Sequence, residues 1–236
     1  MIMFPVAVLA GGQATRLGHL TEKVPKSLIE VAGRPFAGHQ LERLAEHGIE
    51  RVVLCVGHLG EMVQQFVGDG RRFGLQVEYS FDGDTALGTG GALRHALPML
   101  GDPFFVVYGD SYLTAPMRPV QQAFLASGAA ALMCVLRNYN RWDRSNAVFS
   151  AERILRYSKR AATRNMQYID YGLSVLSAQA LAAAREPEPF DLGDLYESLA
   201  GAGQLAGYEV SERFYEVGSL QGINDLTAFL KSGAAR

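Results

Sequence analysis

The sequence predicts an α/β fold: a mainly parallel sheet with helices on both faces, plus a smaller mixed part folded onto it. Two observations predict it. Apolar runs of strand length alternate with helix-like stretches through the first half, and after Leu136 the rhythm changes to shorter, more polar strands. The strand-length runs fall at Val6–Ala10, Val52–Val56, Val77–Ser80, Phe104–Tyr108 and Ala130–Leu136. Between them lie helix-like stretches at Pro35–His47, closed by Gly48, at Gly60–Val67, at Gly91–Leu100 and at Val120–Ala126. Such alternation favours right-handed crossovers, which place ligands at the carboxyl ends of the strands. The second half offers the strands AVFS, RILRY and QYIDYGLSVL, then helical segments near Ala178–Arg185 and Leu192–Ala202. A last strand near Arg213–Val217 leads into a helix beginning at Ser219, and the final KSGAAR is expected to fray. No linker separates the halves, so one domain is expected over 1–236, divided as 1–136 and 137–236.

With 236 residues, 48% of them hydrophobic and 19% charged, the chain can bury a sizeable core. A net charge of −2 with interspersed signs argues against coating nucleic acid or an anionic membrane, so any bound anion must be held locally. Cys55 and Cys134 sit inside apolar runs and read as buried free thiols suited to a reducing cytoplasm. The opening MIMFPVAVLAGG lacks the basic start of a signal peptide, and no apolar run approaches the ~18 residues of a membrane span. A cytoplasmic protein is therefore expected. Whether it assembles into oligomers is not legible in the residues.

The chemistry is concentrated in VAVLAGGQATRLGHLTEKVPKSLIEVAG. Two glycines directly after a strand let the backbone approach a ligand, and successive N–H groups in such a turn form an anion-binding nest. Arg16 adds a bidentate fork and Lys26 a compact charge. A side chain at Gly11 is expected to fill the space that phosphates need. Taken singly, the two cations fit a phosphate site or a solvated surface equally. Neither GxxxxGK[ST] nor GxGxxG is present, which argues against a Walker-type ATPase and a dinucleotide-binding dehydrogenase.

As a whole the stretch resembles the signature LAGGxGTRLxxxTxxxPKxLxxV of the sugar-1-phosphate nucleotidyltransferases. It is matched by Leu9, Ala10, Gly11, Gly12, Thr15, Arg16, Leu17, Thr21, Pro25, Lys26, Leu28 and Val31, with Ala14 in place of the family's glycine. LGTGGAL at Leu87–Leu93 resembles the second nucleotide-contacting loop, and VVYGDSYL at Val106–Leu113 the strand end whose aspartate binds magnesium. FYEVGSLQGINDL resembles the segment carrying the second metal ligand, here Glu216, with Ser219 for threonine. The matches run from residue 6 to about 225.

This resemblance implies a Rossmann-like, glycosyltransferase-A-like fold with a nucleotide-binding half and a sugar-phosphate-binding half. It implies an enzyme that transfers a nucleoside monophosphate from a nucleoside triphosphate to a sugar 1-phosphate, with Mg²⁺ held by Asp110 and Glu216. Arg16 and Lys26 would be catalytic, while Leu9, Ala10, Gly11, Gly12, Thr89, Gly90 and Gly91 would contact the nucleotide. The sugar half is matched only in part. Lys159 is the candidate for the sugar phosphate or else a solvated strand-end lysine; Asp170 and Gly172 meet a sugar hydroxyl or form a turn. Asp110 by itself also suits a turn cap.

The nucleophile in such a reaction is already an anion, so charge cancellation and alignment are needed rather than an activated serine, cysteine or histidine. No histidine falls in a metal spacing, and Ser111 does not sit in a nucleophile elbow. The form LGTGGAL is similar to that of heptose-1-phosphate guanylyltransferases, with muramate-1-phosphate uridylyltransferases close behind; both suggest nucleotide-sugar supply for cell-surface polysaccharide. The base and the sugar stay open. Because the chain stops soon after Glu216, a bifunctional form with a hexapeptide β-helix is not expected. Two alternatives remain: a nucleotidyltransferase for a non-sugar phosphate such as phosphocholine, and a catalytically inactive nucleotide-sugar binding or regulatory module, which Ala14 and Glu216 would favour.

Overall fold

The computed structural model describes residues 2–12, 23–182, 184 and 189–233. In chain order its first half contains β1 (Val6–Leu9), the hairpin β2 (Glu30–Val31) and β3 (Arg34–Pro35), α1 (Phe36–Glu46), β4 (Arg51–Val56), α2 (Gly60–Val67), β5 (Gln76–Phe81), α3 (Gly88–Ala96) and β6 (Phe104–Tyr108). There follow β7 (Ser111–Tyr112), α4 (Met117–Ser127), β8 (Ala131–Arg137), β9 (Ala147–Ser150), β10 (Arg153–Tyr157), β11 (Tyr168–Leu176), α5 (Ala178–Ala182), α6 (Leu192–Gly201), β12 (Leu205–Val210), β13 (Tyr215–Glu216) and α7 (Leu220–Lys231).

Nine strands form one sheet in the order β5-β4-β1-β6-β11-β8-β12-β10-β9. The expected parallel ladder is confined to β5, β4, β1 and β6 and to the β8–β12 pair. Strand β11 runs antiparallel to both β6 and β8, and β10 antiparallel to β12 and β9. The sheet is therefore mixed, and the second half extends it edgewise instead of forming a separate layer on it. Strand β12 was not evident in the sequence because glycines interrupt its surroundings in GAGQLAGYEV. Gly207 is there for packing: a Cβ would run into the Phe149 ring.

Side chains alternate across the sheet, and that period of two sets the layers. Val6, Val8, Leu54 and Val107 point to one face, where they meet Leu41 and Leu44 of α1, Val63 of α2 and Val120 of α4. Ala7, Val53, Cys55 and Val106 point to the other, against Ala92 and Leu93 of α3, Leu181 of α5 and Leu195 of α6. Both cysteines are buried free thiols, and burial pushes the Cys55 thiol up to about 12. A third, smaller cluster joins Leu226 of α7 to Val31, Phe36, Tyr112 and Val217, fastening the C-terminal helix beside the β7–β13 ladder. Ser219 caps α7 by accepting from the Gly222 N–H. Among the described residues no helix is long and apolar enough to cross a membrane.

Candidate active site

The chain runs from β1 outward to β4 and β5, then returns to place β6 on the other side of β1. That reversal leaves a crevice beyond the carboxyl ends of β1 and β6, the position where open α/β sheets bind ligands. A cavity of about 480 Å³ lies there. Its walls are Leu9–Gly12 after β1, Gly57 and His58 after β4, Asp82–Asp84 after β5, Tyr108–Asp110 at the end of β6, and the start of α3. A larger hollow of about 760 Å³ lies beside Ser177 and Gln204, and among the described residues its lining carries no charged side chain.

Close backbone approach explains the glycines at the floor. A Cβ on Gly109 would lie 2.8 Å from both Ala10 Cα and Leu9 O. One on Gly11 would lie 3.1 Å from Gly57 N and 3.4 Å from Asp82 Oδ2, two residues that line the same cleft. Among the described residues, a Cβ on Gly12 would meet nothing within 4 Å. Arg16, with Ala14 and Thr15, lies outside the described residues.

Pro25 sets extended backbone ahead of a single 3-10 turn, Lys26–Leu28, which delivers Lys26 to the cleft. Its ammonium forms an ion pair with Asp110 Oδ2, while Ser111 Oγ donates to Asp110 Oδ1 at 3.3 Å. Glu216 pairs with Ser111 in the β7–β13 ladder, and Val217 N–H donates to Asp110 O at 2.9 Å. A Cβ at Gly218 would lie 3.1 Å from Lys26 Nζ. The structure thus gathers Lys26, Asp110 and the strand bearing Glu216, residues distant in sequence, at one end of the cleft. Among the described residues no group of three or more His, Cys, Asp or Glu forms a ready metal cage.

The glycine-rich segment expected as a loop is the first turn of α3, which starts at Gly88. Thr89 lines the cleft, but its Oγ1 also accepts from Leu192 N–H at 2.8 Å. Gly90 and Gly91 are buried, and a Cβ on Gly90 would overlap the Phe190 ring. Gly90 N–H donates to Phe190 O at 3.0 Å. The glycines therefore seat α3 against the 190–192 segment, a packing role that a loop reading could not reveal.

The candidates for the second substrate collect behind Tyr108. Lys159 Nζ lies 5.7 Å from the Tyr108 ring centroid and pairs with Asp191 Oδ1 at 2.9 Å. Burial disfavours ionisation of Asp191, yet Lys159 and the Gly193 N–H together hold its carboxyl below the usual range. Asp191 also caps α6 through that Gly193 N–H. Asp170 and Gly172 lie within β11 at a register shift, so they form a bulge where a turn was one of the readings. Asp170 accepts from Gly172 N–H at 2.9 Å and from Tyr157 Oη at 3.3 Å, and burial raises its pKa. Gly172 has φ of +82° and backs onto Ser111 and Tyr108. Gln40, Gly57 and Asp191 were missed in the sequence, whereas Asp82 falls in the segment YSFDGDTALGTGG expected beside the base and Tyr108 in the VVYGDSYL motif. Only Gly57, directly after a strand as Gly11 is, and Asp191, ahead of a helical run, carried a local signal.

Fold and site together define a class: an α/β protein with a glycine-lined cleft at the strand reversal, bordered by Lys26 and Asp110. The profile of the Nucleotidyl transferase family matches residues 6–146, and the chain belongs to that family. It is 27% identical over 224 residues to a UTP–glucose-1-phosphate uridylyltransferase of Synechocystis, covering 88% of this chain and 58% of that protein, so it spans less than two thirds of that relative. It is 28% identical over 224 residues to an N-acetylmuramate alpha-1-phosphate uridylyltransferase of Caulobacter vibrioides, covering 91% of each. In fold it is similar to HddC from Yersinia pseudotuberculosis solved with GMP-PN, at a TM-score of 0.79 and 19% identity over 97% of this chain and 100% of that one.

Proposed function

We propose that the protein joins a nucleoside triphosphate to a sugar 1-phosphate, releasing pyrophosphate and an NDP-sugar. The observation that carries this reading is the convergence of Lys26, Asp110 and the Glu216 strand at one end of a cleft lined by Leu9–Gly12. An oxygen of the sugar phosphate attacks the α-phosphorus in line; the new P–O bond forms as the bond to the bridging oxygen breaks, and that oxygen departs with pyrophosphate. No proton transfer is required, so the chain's task is alignment and charge. The nest N–H groups and Arg16 hold the triphosphate. Lys26 meets the negative charge that grows as pyrophosphate leaves.

Members of this family generally use a divalent metal, and we read Asp110 and Glu216 as its protein ligands, with Mg²⁺ as the ion. The donor set fits: Mg²⁺ is commonly held by one or two carboxylates, with phosphate oxygens and waters completing its octahedron. When bound, the ion would neutralise triphosphate charge. Asp110 is only 28% exposed at its side chain and pairs with Lys26. A bound metal would take the carboxylate and a bound phosphate the lysine. On the far side of Tyr108, Lys159 exchanges Asp191 for the sugar phosphate, and Asp170 and Gly172 border the sugar. Its chemistry is that of nucleotide-sugar biosynthesis, which supplies cell-surface polysaccharide, and a cytoplasmic setting suits its substrates.

The test is pyrophosphate release across GTP, UTP, CTP and dTTP against a panel of sugar 1-phosphates and phosphocholine, with and without Mg²⁺. Release with at least one sugar 1-phosphate supports the reading. Release with phosphocholine alone moves the protein to the non-sugar class, and no release with any pair marks a binding module.

A further inference from the structure

Gln40 is 5% exposed on α1 and takes no part in the chemistry above. Buried amides are expensive unless both ends are satisfied. Here the Nε2 amide donates to Tyr108 O at 2.9 Å and to Ser111 O at 2.8 Å, the two carbonyls that bracket Gly109 and Asp110. The same four residues are gripped from two further elements: Gly109 N–H donates to Leu9 O, and Asp110 O accepts from Val217 N–H, both at 2.9 Å. Of the three grips, the two backbone bonds come from flanking chain segments. Gln40 reaches in with a side chain from a helix on one face of the sheet, and a single amide binds the backbone on both sides of the turn; Lys26 also reaches these residues with a side chain, but it pairs with the Asp110 carboxylate and not with the backbone.

We propose that Gln40 is a positioning residue that sets the Tyr108–Ser111 turn so that the Asp110 carboxylate is presented to a divalent metal. This rests on the reading of Asp110 as a metal ligand. Removing the amide leaves two buried carbonyls unpaired, and the turn relieves that by shifting, carrying Asp110 with it. Outer partners that orient metal ligands act in this way, and their loss typically weakens metal binding about 10–100-fold.

The experiment uses the full chain and two variants of similar length, Gln40→Met and Gln40→Glu, neither of which can donate to both carbonyls. Mn²⁺ binding is read from the EPR signal of the free ion, and GTP and UTP binding are measured calorimetrically in chelator. Folded variants are expected to bind Mn²⁺ at least about tenfold more weakly, to keep their metal-free nucleotide affinity, and to regain part of their kcat as Mn²⁺ is raised. Unchanged Mn²⁺ affinity overturns the proposal. So does a parallel fall of Mn²⁺ affinity, nucleotide affinity and melting temperature, or failure of both variants to fold, since each makes Gln40 a residue of the fold alone. Asp110→Asn run alongside separates the two readings: if that variant binds Mn²⁺ as well as wild type, the metal assignment fails whatever Gln40 does.

Discussion

Lys26 pairs with the Asp110 carboxylate at the edge of the cleft, and its proposed value to the reaction lies in meeting charge that develops on the phosphates. A group that acts on charge formed only in the transition state affects kcat more than binding. Lys26→Ala is therefore expected to lower kcat by about 10²–10³-fold, the scale of removing one preorganised donor, with a modest change in triphosphate affinity. Steady-state kinetics beside calorimetric nucleotide binding checks it, and turnover at the wild-type rate would refute the role. Lys159 belongs to the other substrate. Lys159→Ala should raise KM for the sugar phosphate while triphosphate binding holds, because its ammonium lies behind Tyr108 and not among the Leu9–Gly12 turns. Equal loss of both affinities in the same assay would place it on the nucleotide.

Elements meet in this site through backbone, and glycines mark where they do. The β1 and β6 ends approach so closely that Gly109 has no room for a Cβ beside Ala10. Gly109→Ala is expected to cost about 1–3 kcal/mol, the scale of overpacking a well-packed site. Urea unfolding would measure it, and a variant as stable as wild type would show that the two turns can separate freely. The same reasoning explains the start of α3. LGTGG has the composition of a loop, yet its glycines serve as a flat seat for Phe190. A helix with glycine in its first turn loses some propensity, about 1 kcal/mol per residue, and the packing of Phe190 and the Gly90–Phe190 and Thr89–Leu192 bonds offset that loss.

At the scale of the whole molecule, α7 closes the arrangement. It contributes no proposed ligand, yet Leu226 is fully buried with Val31, Phe36, Tyr112 and Val217, and the Tyr215 and Phe229 rings stack at 4.6 Å. That cluster holds β13, and with it Glu216, against β7 next to Asp110. Leu226→Ala should destabilise the protein by about 2–5 kcal/mol, the usual range for emptying a buried leucine site. If the helix positions β13, the variant should also need more Mg²⁺ for half-maximal activity at a temperature where it remains folded. A destabilised variant with an unchanged Mg²⁺ requirement would limit α7 to a stabilising role.

The sequence by itself determined the parts that depend on near neighbours. The continuous apolar runs of strand length placed β1, β4, β5, β6 and β8 within a residue or two, Gly48 and Ser219 marked helix ends, and the long motif from Leu9 to Val31 pointed to triphosphate chemistry through its resemblance to the family signature. Asp110 and Glu216 were picked out through short motifs that resemble those of the family, and the structure sets their segments side by side. Only the tertiary structure decided how these parts are wired. Inserting β11 between β6 and β8 puts Lys159, Asp170 and Gly172 behind Tyr108, and no local pattern encodes which strand lies beside which. The pairing of Lys26 with Asp110, the clamp of Gln40 on the turn and the packing role of Gly90 all join residues dozens of positions apart. Such contacts arise from the order in which strands pair, which is set by the burial of whole faces and not by the residues that flank any one of them.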